Sequence, residues 1–535
     1  MTTSSFVCRI KDYIQPFERE LAFQEVNSLM RAFNLKAENR SQTELVVFGE
    51  NHHISTFAQR LAYWESVEGQ GQFITTLQSL REATVNVVRN GIDLDILRGA
   101  LPFREEVSLP NRRCLRYGTH GIHEYRGKFF PQLVRALINV SGTGAGGIVA
   151  DPMSGSGTTL VESKLFGCES YGVDMNPLSC LLTETKASLL EANPDDLVNG
   201  YRAIREALLR PEPRDRKMAY FENLPKEDQR YLSSWFGSEV LAALDDIMRL
   251  ISQERSTHAR GLMLVAVSNI LRSVSWQKVE DLRVRKEVRL DVEIDPKKEF
   301  LEELGRSVRA VLALLYQEGS RNYPKHTIVQ GDARRCAEMW PSAKGKVDTI
   351  ITSPPYATAL PYLDTDRLSL CYLGLLPRPE HRARDLLMIG NREVSEKMRR
   401  EYLTAYMSER ARLPREITGL IDRIDDLNSS HEVGFRRRNL SALLFKYFSD
   451  MKRVMHSMND ALRVGGTAYI VVGNNHTTAG GERVDIETAK LLATLADQAG
   501  FIVEPSLSMD MLASRDIFRK NAMATEEILY LRKSS

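Results

Sequence analysis

At 535 residues the chain is long for one domain, and a 43% hydrophobic composition is enough to build at least one large core, so we expect two or three structural units. The 72 Lys and Arg residues nearly balance the 70 Asp and Glu residues, which excludes a uniformly basic surface and leaves any polyanionic partner to local patches. The six cysteines are far apart without metal-site spacing, the first residues lack the features of an export signal, and no apolar run approaches the roughly 18 residues of a membrane span. We therefore expect a reduced, cytoplasmic chain with no bound metal.

The first 110 residues predict a small α/β unit. Phe6 to Ile14 has the composition of a strand, apolar residues recur at helical spacing from Phe17 to Phe33, and Leu45 to Phe48 is a short β-like run.

From Gly147 onward, strand-like runs alternate with amphipathic segments. This alternation predicts an α/β fold with a mostly parallel sheet that is covered by helices on both faces. The predicted strands are Ile148–Ala150, Ser170–Val173, Thr327–Val329, Val347–Ile351, Thr467–Val472, Phe501–Glu504 and Ile528–Leu531.

Two long segments rich in Leu, Arg and Glu at helical periods interrupt the alternation and predict helical inserts. The expected organisation is an N-terminal unit (1–110), a catalytic core in three pieces (111–186, 326–366 and 451–535) and two inserts (187–325 and 367–450). The core ends too close to the chain end to leave room for a separate carboxy-terminal recognition module, so recognition is expected from the N-terminal unit or the inserts.

A basic patch precedes the first motif of the core. It contains Arg112, Arg113, Arg116, Arg126 and Lys128, opposed by Glu124. A solvated loop and a phosphate contact both remain open for this patch.

The first motif runs from Asp151 to Thr159 and reads Asp-Pro-Met-Ser-Gly-Ser-Gly-Thr-Thr. A buried strand ends in an acidic residue, turns on small residues and enters a helix, and the glycines let a ligand approach the backbone closely. The loop is not a phosphate loop, because no Gly-Lys-Ser/Thr follows. Taken alone, the pattern also fits an ordinary loop.

The second motif, Tyr171 to Pro177, places Asp174 at the end of the next strand, followed by Met175. An acidic residue at this position can accept hydrogen bonds from both ribose hydroxyls of an adenosine cofactor. Dinucleotides and S-adenosylmethionine both fit, and so does a simple helix cap.

The third motif is Ser353-Pro354-Pro355-Tyr356, directly after a buried strand. Two prolines fix an extended turn, so the carbonyl of Pro354 projects from the sheet edge. The ring of Tyr356 offers a stacking face for a base that has been removed from its duplex. An ordinary proline turn is the alternative.

Together these segments resemble the amino-methylating DNA methyltransferases, which modify cytosine N4 or adenine N6 and have a Rossmann-like fold. In that family the glycine loop holds S-adenosylmethionine and the Pro-Pro-Tyr/Phe motif holds the target amine. Met153 replaces the usual aromatic residue of the loop. The resemblance assigns catalysis to Ser353, Pro354, Pro355 and Tyr356, and cofactor binding to Asp151, Met153, Ser154, Gly155, Ser156, Gly157, Thr158, Asp174 and Met175.

Two further segments extend the resemblance. The run from His123 to Leu133 is similar to the family segment that lines the methionine end of the cofactor, which adds Tyr125, Lys128 and Phe129 to the expected site. The run around Asp332 and Ala333 resembles the third cofactor motif, whose acidic side chain approaches the adenine amino group.

The Ser-Pro-Pro-Tyr form is, in that family, found more often with cytosine N4 methylation, whereas Asp-Pro-Pro-Tyr is found more often with adenine N6. No cysteine follows a proline, which excludes the usual cytosine C5 mechanism. The resemblance implies DNA as substrate and companion restriction or defence proteins as partners. A tRNA guanine N2 methyltransferase and a non-catalytic nucleic-acid-binding subunit remain the alternatives.

Overall fold

The computed structural model describes residues 4–104, 107–125, 127, 130–210, 217–278, 285–288, 294–357, 362–392, 394–510 and 525–534. The N-terminal unit contains a five-stranded antiparallel sheet in the order β2-β3-β1-β4-β5. The predicted strand from Phe6 ends at Ile10 instead of Ile14. The elements of this unit are β1 (Ser5–Ile10), α1 (Pro16–Phe33), β2 (Lys36–Asn39), β3 (Glu44–Phe48), α2 (Asn51–Arg60), β4 (Trp64–Gly69), β5 (Gln72–Thr75), α3 (Leu77–Val88) and α4 (Leu94–Ala100).

The first part of the core alternates strands and helices as predicted. A 3₁₀ turn (Gly118–Gly121) precedes α5 (Pro131–Val140), β6 (Ile148–Asp151), α6 (Thr158–Phe166), β7 (Glu169–Asp174) and α7 (Pro177–Ser188). Helix α1 packs against α5, and the apolar core of the N-terminal unit continues into the core sheet through Leu133, Val149 and Ile351.

The described part of the first insert is largely helical, as predicted. After a 3₁₀ turn (Leu189–Glu191), it contains α8 (Pro194–Leu209), α9 (Ala219–Glu222), α10 (Lys226–Ser233), α11 (Ser238–Gln253), α12 (Thr257–Ile270) and α13 (Pro296–Glu318). The core then resumes with β8 (His326–Gln330), a 3₁₀ turn (Ala333–Arg335), α14 (Cys336–Met339) and β9 (Val347–Thr352).

The second insert is helical too, but its last helix runs past the predicted boundary at residue 450 and enters the core. Its elements are α15 (Tyr362–Thr365), α16 (Arg367–Tyr372), a 3₁₀ turn (Arg378–Glu380), α17 (His381–Leu387), α18 (Glu396–Glu409), a 3₁₀ turn (Arg410–Arg412), α19 (Arg415–Ser429), α20 (Phe435–Arg438) and α21 (Leu440–Ala461). The core is completed by β10 (Leu462–Gly473), the hairpin β11 (Asn475–Ala479) and β12 (Glu482–Ile486), α22 (Thr488–Gln498), β13 (Phe501–Asp510) and β14 (Thr525–Lys533).

The described core strands form one seven-stranded sheet in the order β13-β14-β10-β9-β6-β7-β8. The five strands from β10 to β8 are parallel, and β14 is antiparallel to both of its neighbours. Every strand predicted for the core is present. The expectation of a Rossmann-like α/β fold with a mostly parallel sheet is therefore confirmed.

Among the described helices, none combines the length and apolar composition needed to cross a membrane. Within the described ranges, no group of three or more His, Cys, Asp or Glu side chains is arranged to hold a metal ion.

Candidate active site

The site lies where the strand order of the core sheet reverses. Strand β6 lies between β7, which follows it in sequence, and β9, which comes much later. The connections that leave the carboxyl ends of β6 and β9 therefore diverge and open a crevice, which is where ligands bind in open α/β sheets. The glycine loop follows β6, and the Ser-Pro-Pro-Tyr turn follows β9.

Asp151 holds the glycine loop from inside. One carboxylate oxygen accepts a hydrogen bond from the Met153 amide at 3.0 Å, and the other accepts one from the Thr159 hydroxyl at 2.8 Å. Burial raises the pKa of Asp151 to about 6, although these hydrogen bonds oppose the shift. Met153, which replaces the family's aromatic residue, is partly buried against the core.

Two glycines of the loop adopt positive φ angles, as the motif requires. Gly155 has φ +51°, and Gly157, directly before α6, has φ +81°. A Cβ atom on Gly157 would lie 2.8 Å from the Cα of Thr183, too close for any other residue. The loop therefore lies directly on α7, and the Thr183 hydroxyl donates to the Gly155 carbonyl at 3.2 Å.

Asp174 ends β7 and faces the same loop. Its carboxylate accepts hydrogen bonds from the Gly155 amide at 2.8 Å and the Asn176 amide at 2.9 Å. Burial raises its pKa to about 7, and the nearby charges of Asp151 and Asp366 add to the shift. The N-cap of α7 is Asn176, whose side chain accepts from the Leu178 amide. The helix-cap alternative for Asp174 is therefore unnecessary.

Tyr125 covers the loop from the other side. A Cβ atom on Gly155 would lie 3.1 Å from the Tyr125 ring, and the Tyr125 hydroxyl is 2.9 Å from the Ser179 hydroxyl on α7. His123, from the same segment, is buried 3.0 Å from the Ser268 hydroxyl of α12, so it joins the core to the first insert. The predicted residues Lys128 and Phe129 lie outside the described residues.

The loop residues fit a ligand that carries several hydrogen-bonding groups, as an adenosine cofactor does. The hydroxyls of Ser154 and Ser156 are buried, and neither has a hydrogen-bond partner within the part of the chain that the structure describes. Buried hydroxyls without partners are costly, which favours a ligand that supplies them. With Asp174 as acceptor, these residues would hold S-adenosylmethionine. Thr158, the first residue of α6, is buried beside them.

The acidic residue of the third cofactor motif, Asp332, forms an ion pair within the protein. Asp332 receives the guanidinium of Arg334 at 2.8 Å, and Arg334 also reaches Asp450 of α21 at 2.8 Å. Burial opposes ionisation of Asp332, but the hydrogen bonds from Arg334 outweigh it and lower the pKa of the carboxyl. Ala333 is buried next to it. The contact between Asp332 and the adenine stays a prediction.

The Ser-Pro-Pro-Tyr turn is tied to the glycine loop through one side chain. Besides Asp151, the Thr159 hydroxyl contacts the carbonyl of Ile351, one residue before the end of β9, at 3.2 Å. Gly390 of the second insert packs on the outer side of the turn, where a Cβ atom would lie 2.9 Å from that of Pro355. The structure thus brings the first and third motifs together at one sheet edge.

The far end of the turn is held by elements from the last part of the chain. The Tyr356 hydroxyl donates a hydrogen bond to the carboxylate of Glu526 on β14. The side-chain amide of Asn475, at the start of β11, donates to the carbonyl of Ala357 at 3.1 Å. These contacts orient the Tyr356 ring relative to the turn.

Several residues that complete this site are not predicted from the sequence. Asp366 accepts a hydrogen bond from the Asn176 side chain at 2.7 Å, and Arg384 of α17 donates to the Met175 carbonyl at 2.8 Å. The second insert therefore contacts the second cofactor motif directly. No local pattern marks these residues, because each contact joins segments about 190 residues or more apart.

The basic patch before the first motif is not a uniform charged loop. Arg113 forms an ion pair with Glu18 at 2.8 Å and lies 4.3 Å from the Phe130 ring centroid, so it joins α1 to the core. Arg116 pairs with Glu124 at 3.3 Å. For Arg113 both expectations, a solvated loop and a phosphate contact, are wrong, because the charge is paired and largely covered. Arg126 lies outside the described residues, and Arg112 is exposed.

The strand order, the glycine loop with its two acidic strand ends and the fit of the loop to the cofactor define an S-adenosylmethionine-dependent methyltransferase. Residues 123–201 match the family model UPF0020, described as "RMKL-like, methyltransferase domain".

The chain is similar to known Type II methyltransferases. It is 22% identical over 441 residues to M.BsoBI of Geobacillus stearothermophilus, covering 74% of this chain and 82% of that one. It is 29% identical over 292 residues to M.MvaI of Kocuria varians, covering 51% and 62% of the two chains. The chain thus spans less than two thirds of M.MvaI. These relatives confirm the resemblance to the amino-methylating DNA methyltransferases.

Solved structures also match. TTHA0409 of Thermus thermophilus, named as a putative DNA modification methylase and solved in complex with S-adenosyl-L-methionine, aligns at 16% identity with a TM-score of 0.19, over 38% of this chain and 52% of that one. TrmN from Thermus thermophilus aligns at 10% identity with a TM-score of 0.31, over 99% of both chains. Because both TM-scores are below 0.5, the fold assignment follows from the strand order itself.

Proposed function

We propose that this chain methylates an exocyclic base amine in DNA, and that the amine is N4 of cytosine. The observation that carries the proposal is the position of Ser353–Tyr356 at the end of β9, joined through Thr159 to the loop that would hold S-adenosylmethionine. A base amine bound at the turn would therefore lie beside the methyl donor.

The chemistry needs positioning more than a covalent nucleophile. An aromatic amine is a poor nucleophile because its lone pair is delocalised into the ring, whereas the sulfonium group supplies a strongly electrophilic methyl. The Ser353 hydroxyl and the Pro354 carbonyl would accept hydrogen bonds from the N–H groups of the amine, so that its nitrogen becomes more tetrahedral as it attacks. Tyr356 would stack on the base after it has left the duplex.

The choice of cytosine rests on the Ser-Pro-Pro-Tyr form of the turn, which the family pairs more often with cytosine N4 than with adenine N6. The choice of DNA rests on the Type II methyltransferases to which the chain is similar. Companion restriction or defence proteins are partners that the resemblance to the DNA methyltransferases implies, and they stay a prediction. Methylation of guanine N2 in tRNA is the alternative activity.

The proposal is tested by incubating the protein with a labelled methyl donor and separate pools of DNA and tRNA, followed by mass spectrometry of the nucleosides. We expect label in DNA as N4-methylcytosine. N6-methyladenine would correct the base, and label in tRNA alone would refute the DNA proposal. Long-read sequencing of DNA from expressing cells then gives the methylated sequence.

The variant Ser353→Ala tests whether the turn takes part in catalysis. We expect it to lower the single-turnover rate more than it lowers DNA affinity, because the hydroxyl acts on the amine as the new bond forms. Wild-type turnover by this variant would show that the turn is only structural, and the function proposed here would fail with it.

A further inference from the structure

A short exposed segment of the second insert, residues 435–438, combines charge and an apolar ring. We call it the arginine segment; it consists of Phe435 followed by Arg436, Arg437 and Arg438, and it coincides with α20. All four side chains are exposed, and Phe435 is 48% exposed. Neither Arg437 nor Arg438 forms an ion pair with a carboxylate of the described residues, unlike Arg423 or Arg410 of the same insert.

The arginine segment is joined to the catalytic turn by the hairpin β11–β12. At one end of the hairpin, Asn475 donates to the Ala357 carbonyl directly after Tyr356. At the other end, the Gly480 amide donates to the Asn428 side chain at 3.1 Å, and the Asn428 side-chain amide donates to the Arg437 carbonyl at 2.8 Å. The turn of the hairpin is tightly seated, because a Cβ atom on Gly480 would lie 2.5 Å from the Leu427 carbonyl.

The length of the hairpin gives the approximate distance between the arginine segment and the catalytic turn. Five residues of each hairpin strand are paired, and a strand rises about 3.3 Å per residue, so the hairpin that separates the catalytic turn from the link to the arginine segment is roughly 17 Å long. The same distance spans about five base pairs of B-DNA at ~3.4 Å each. Phosphates that flank a flipped base lie within this range.

The directions in which the three arginine side chains point suit the edge of a DNA groove. Successive residues of a helical turn point about 100° apart, so three consecutive arginines fan out instead of lining one face. Three positive charges that point in different directions can meet the phosphates of both backbones that border a groove, with the exposed ring of Phe435 between them. A flat acidic protein surface would contact only one of the three charges.

We propose that the arginine segment contacts the phosphates bordering a groove of duplex DNA beside the target base, an inference that rests on the proposed DNA methylation. The arginines contribute the salt-dependent part of the binding, and Phe435 contributes an apolar contact with the same groove. Phosphate contacts do not read sequence, so this surface fixes where the duplex lies without choosing the target site.

The test compares two triple variants of the full-length protein by fluorescence anisotropy with a duplex oligonucleotide at several salt concentrations. The first is Arg436→Gln/Arg437→Gln/Arg438→Gln. The matched control, Arg202→Gln/Arg205→Gln/Arg210→Gln, removes two exposed arginines of α8 and the exposed arginine directly after it, so both variants lower the formal net charge of +2 by three. We expect the first variant to reduce the slope of log affinity against log salt by about 1 to 3, and the control to keep the wild-type slope.

Phe435→Ala separates the apolar contact from the charges. We expect weaker binding with an unchanged salt slope, because no counterion is released by an apolar side chain. Calorimetric cofactor binding and thermal melting confirm that each variant is folded. If the triple variant does not fold, Arg437→Gln/Arg438→Gln is measured instead, with an expected slope change of about 1 to 2.

The outcomes distinguish this inference from the proposed function. A wild-type protein that neither binds nor methylates the duplex removes the proposed function itself. If the wild-type protein methylates DNA but the arginine variant keeps its salt slope, the inference is overturned and the function stands. A changed target sequence with an unchanged slope assigns the arginines to base edges, and a slope change with tRNA alone assigns them to RNA; both overturn it.

Discussion

The hydroxyl of Tyr356 donates a hydrogen bond to the carboxylate of Glu526, 170 residues further along the chain. Tyr356 closes the catalytic turn after β9, and Glu526 lies near the start of β14, paired with Gly473 at the carboxyl end of β10. Burial raises the pKa of Glu526, and the hydrogen bond from Tyr356 opposes that shift. Strand β14, the last strand along the chain, therefore orients the ring that we expect to stack on the base.

This contact predicts a graded response at Tyr356. Tyr356→Ala removes the stacking face and should weaken productive DNA binding by about 1 to 3 kcal/mol. Tyr356→Phe keeps the face and loses only the hydrogen bond, so its cost should be about 1 kcal/mol. Single-turnover methylation at varied DNA concentration measures both, with calorimetric cofactor binding expected to stay unchanged.

Two variants of the acceptor provide the control. Glu526→Gln still offers an oxygen to the Tyr356 hydroxyl and should stay near the wild-type rate, whereas Glu526→Leu should behave like Tyr356→Phe. Equal activity of the wild type and Tyr356→Ala would show that the ring does not meet the base.

Asp174→Ala should weaken binding of S-adenosylmethionine by about 1 to 3 kcal/mol, because the ribose hydroxyls lose their charged acceptor and the Gly155 amide loses its partner. Isothermal titration calorimetry measures the change. Asp95→Ala, at an exposed position of α4, is the matched control and should bind the cofactor normally. Unchanged affinity of the Asp174 variant would exclude this carboxylate from the cofactor site.

The raised pKa of Asp174, about 7, predicts a pH dependence of cofactor binding. In the folded protein this carboxyl retains its proton to higher pH than in the unfolded chain, so its contribution to stability is present at low pH and is lost as the pH rises through about 7. Ribose hydroxyls have the opposite preference, because they donate to the ionised form. Cofactor affinity should therefore fall as the pH decreases below about 7.

Titrations of S-adenosylmethionine between pH 5 and pH 8.5, roughly centred on that pKa, test the expected slope. Asp174→Asn has no proton to exchange and should give a much flatter profile at lower affinity. A wild-type profile that is equally flat would mean that Asp174 does not change its ionisation when the cofactor binds.

Thr159→Val should impair both halves of the site at once. The fully buried hydroxyl holds Asp151 of the glycine loop and the Ile351 carbonyl of β9, and its loss leaves a buried carboxylate oxygen without its donor, at a cost of about 1 to 3 kcal/mol. We expect lower stability in urea, weaker cofactor binding and slower methylation. Thr488→Val is the control, since Thr488 is equally buried but donates to Ile486, outside the site. A Thr159 variant that loses stability alone, as the control should, would contradict the link between the motifs.

The sequence by itself determined the sheet and the two motifs that face the crevice. Runs such as Val347–Ile351 carry enough apolar and β-branched residues to predict buried strands locally, and the small residues from Ser154 to Gly157 predict the turn between β6 and α6. Positive φ angles at Gly155 and Gly157 agree with the motif because only glycine adopts them without strain.

The tertiary structure alone decided which distant residues complete the site. Thr159 reaches Ile351 across 192 positions, Asn176 reaches Asp366 across 190, and Arg384 reaches Met175 across 209. Periodicity and turn chemistry describe residues a few positions apart, whereas these contacts depend on strand order and on how the inserts fold back over the sheet edge. For the same reason the charge of Arg113 could not be assigned from its neighbours in sequence, because its partner, Glu18, comes from the N-terminal unit.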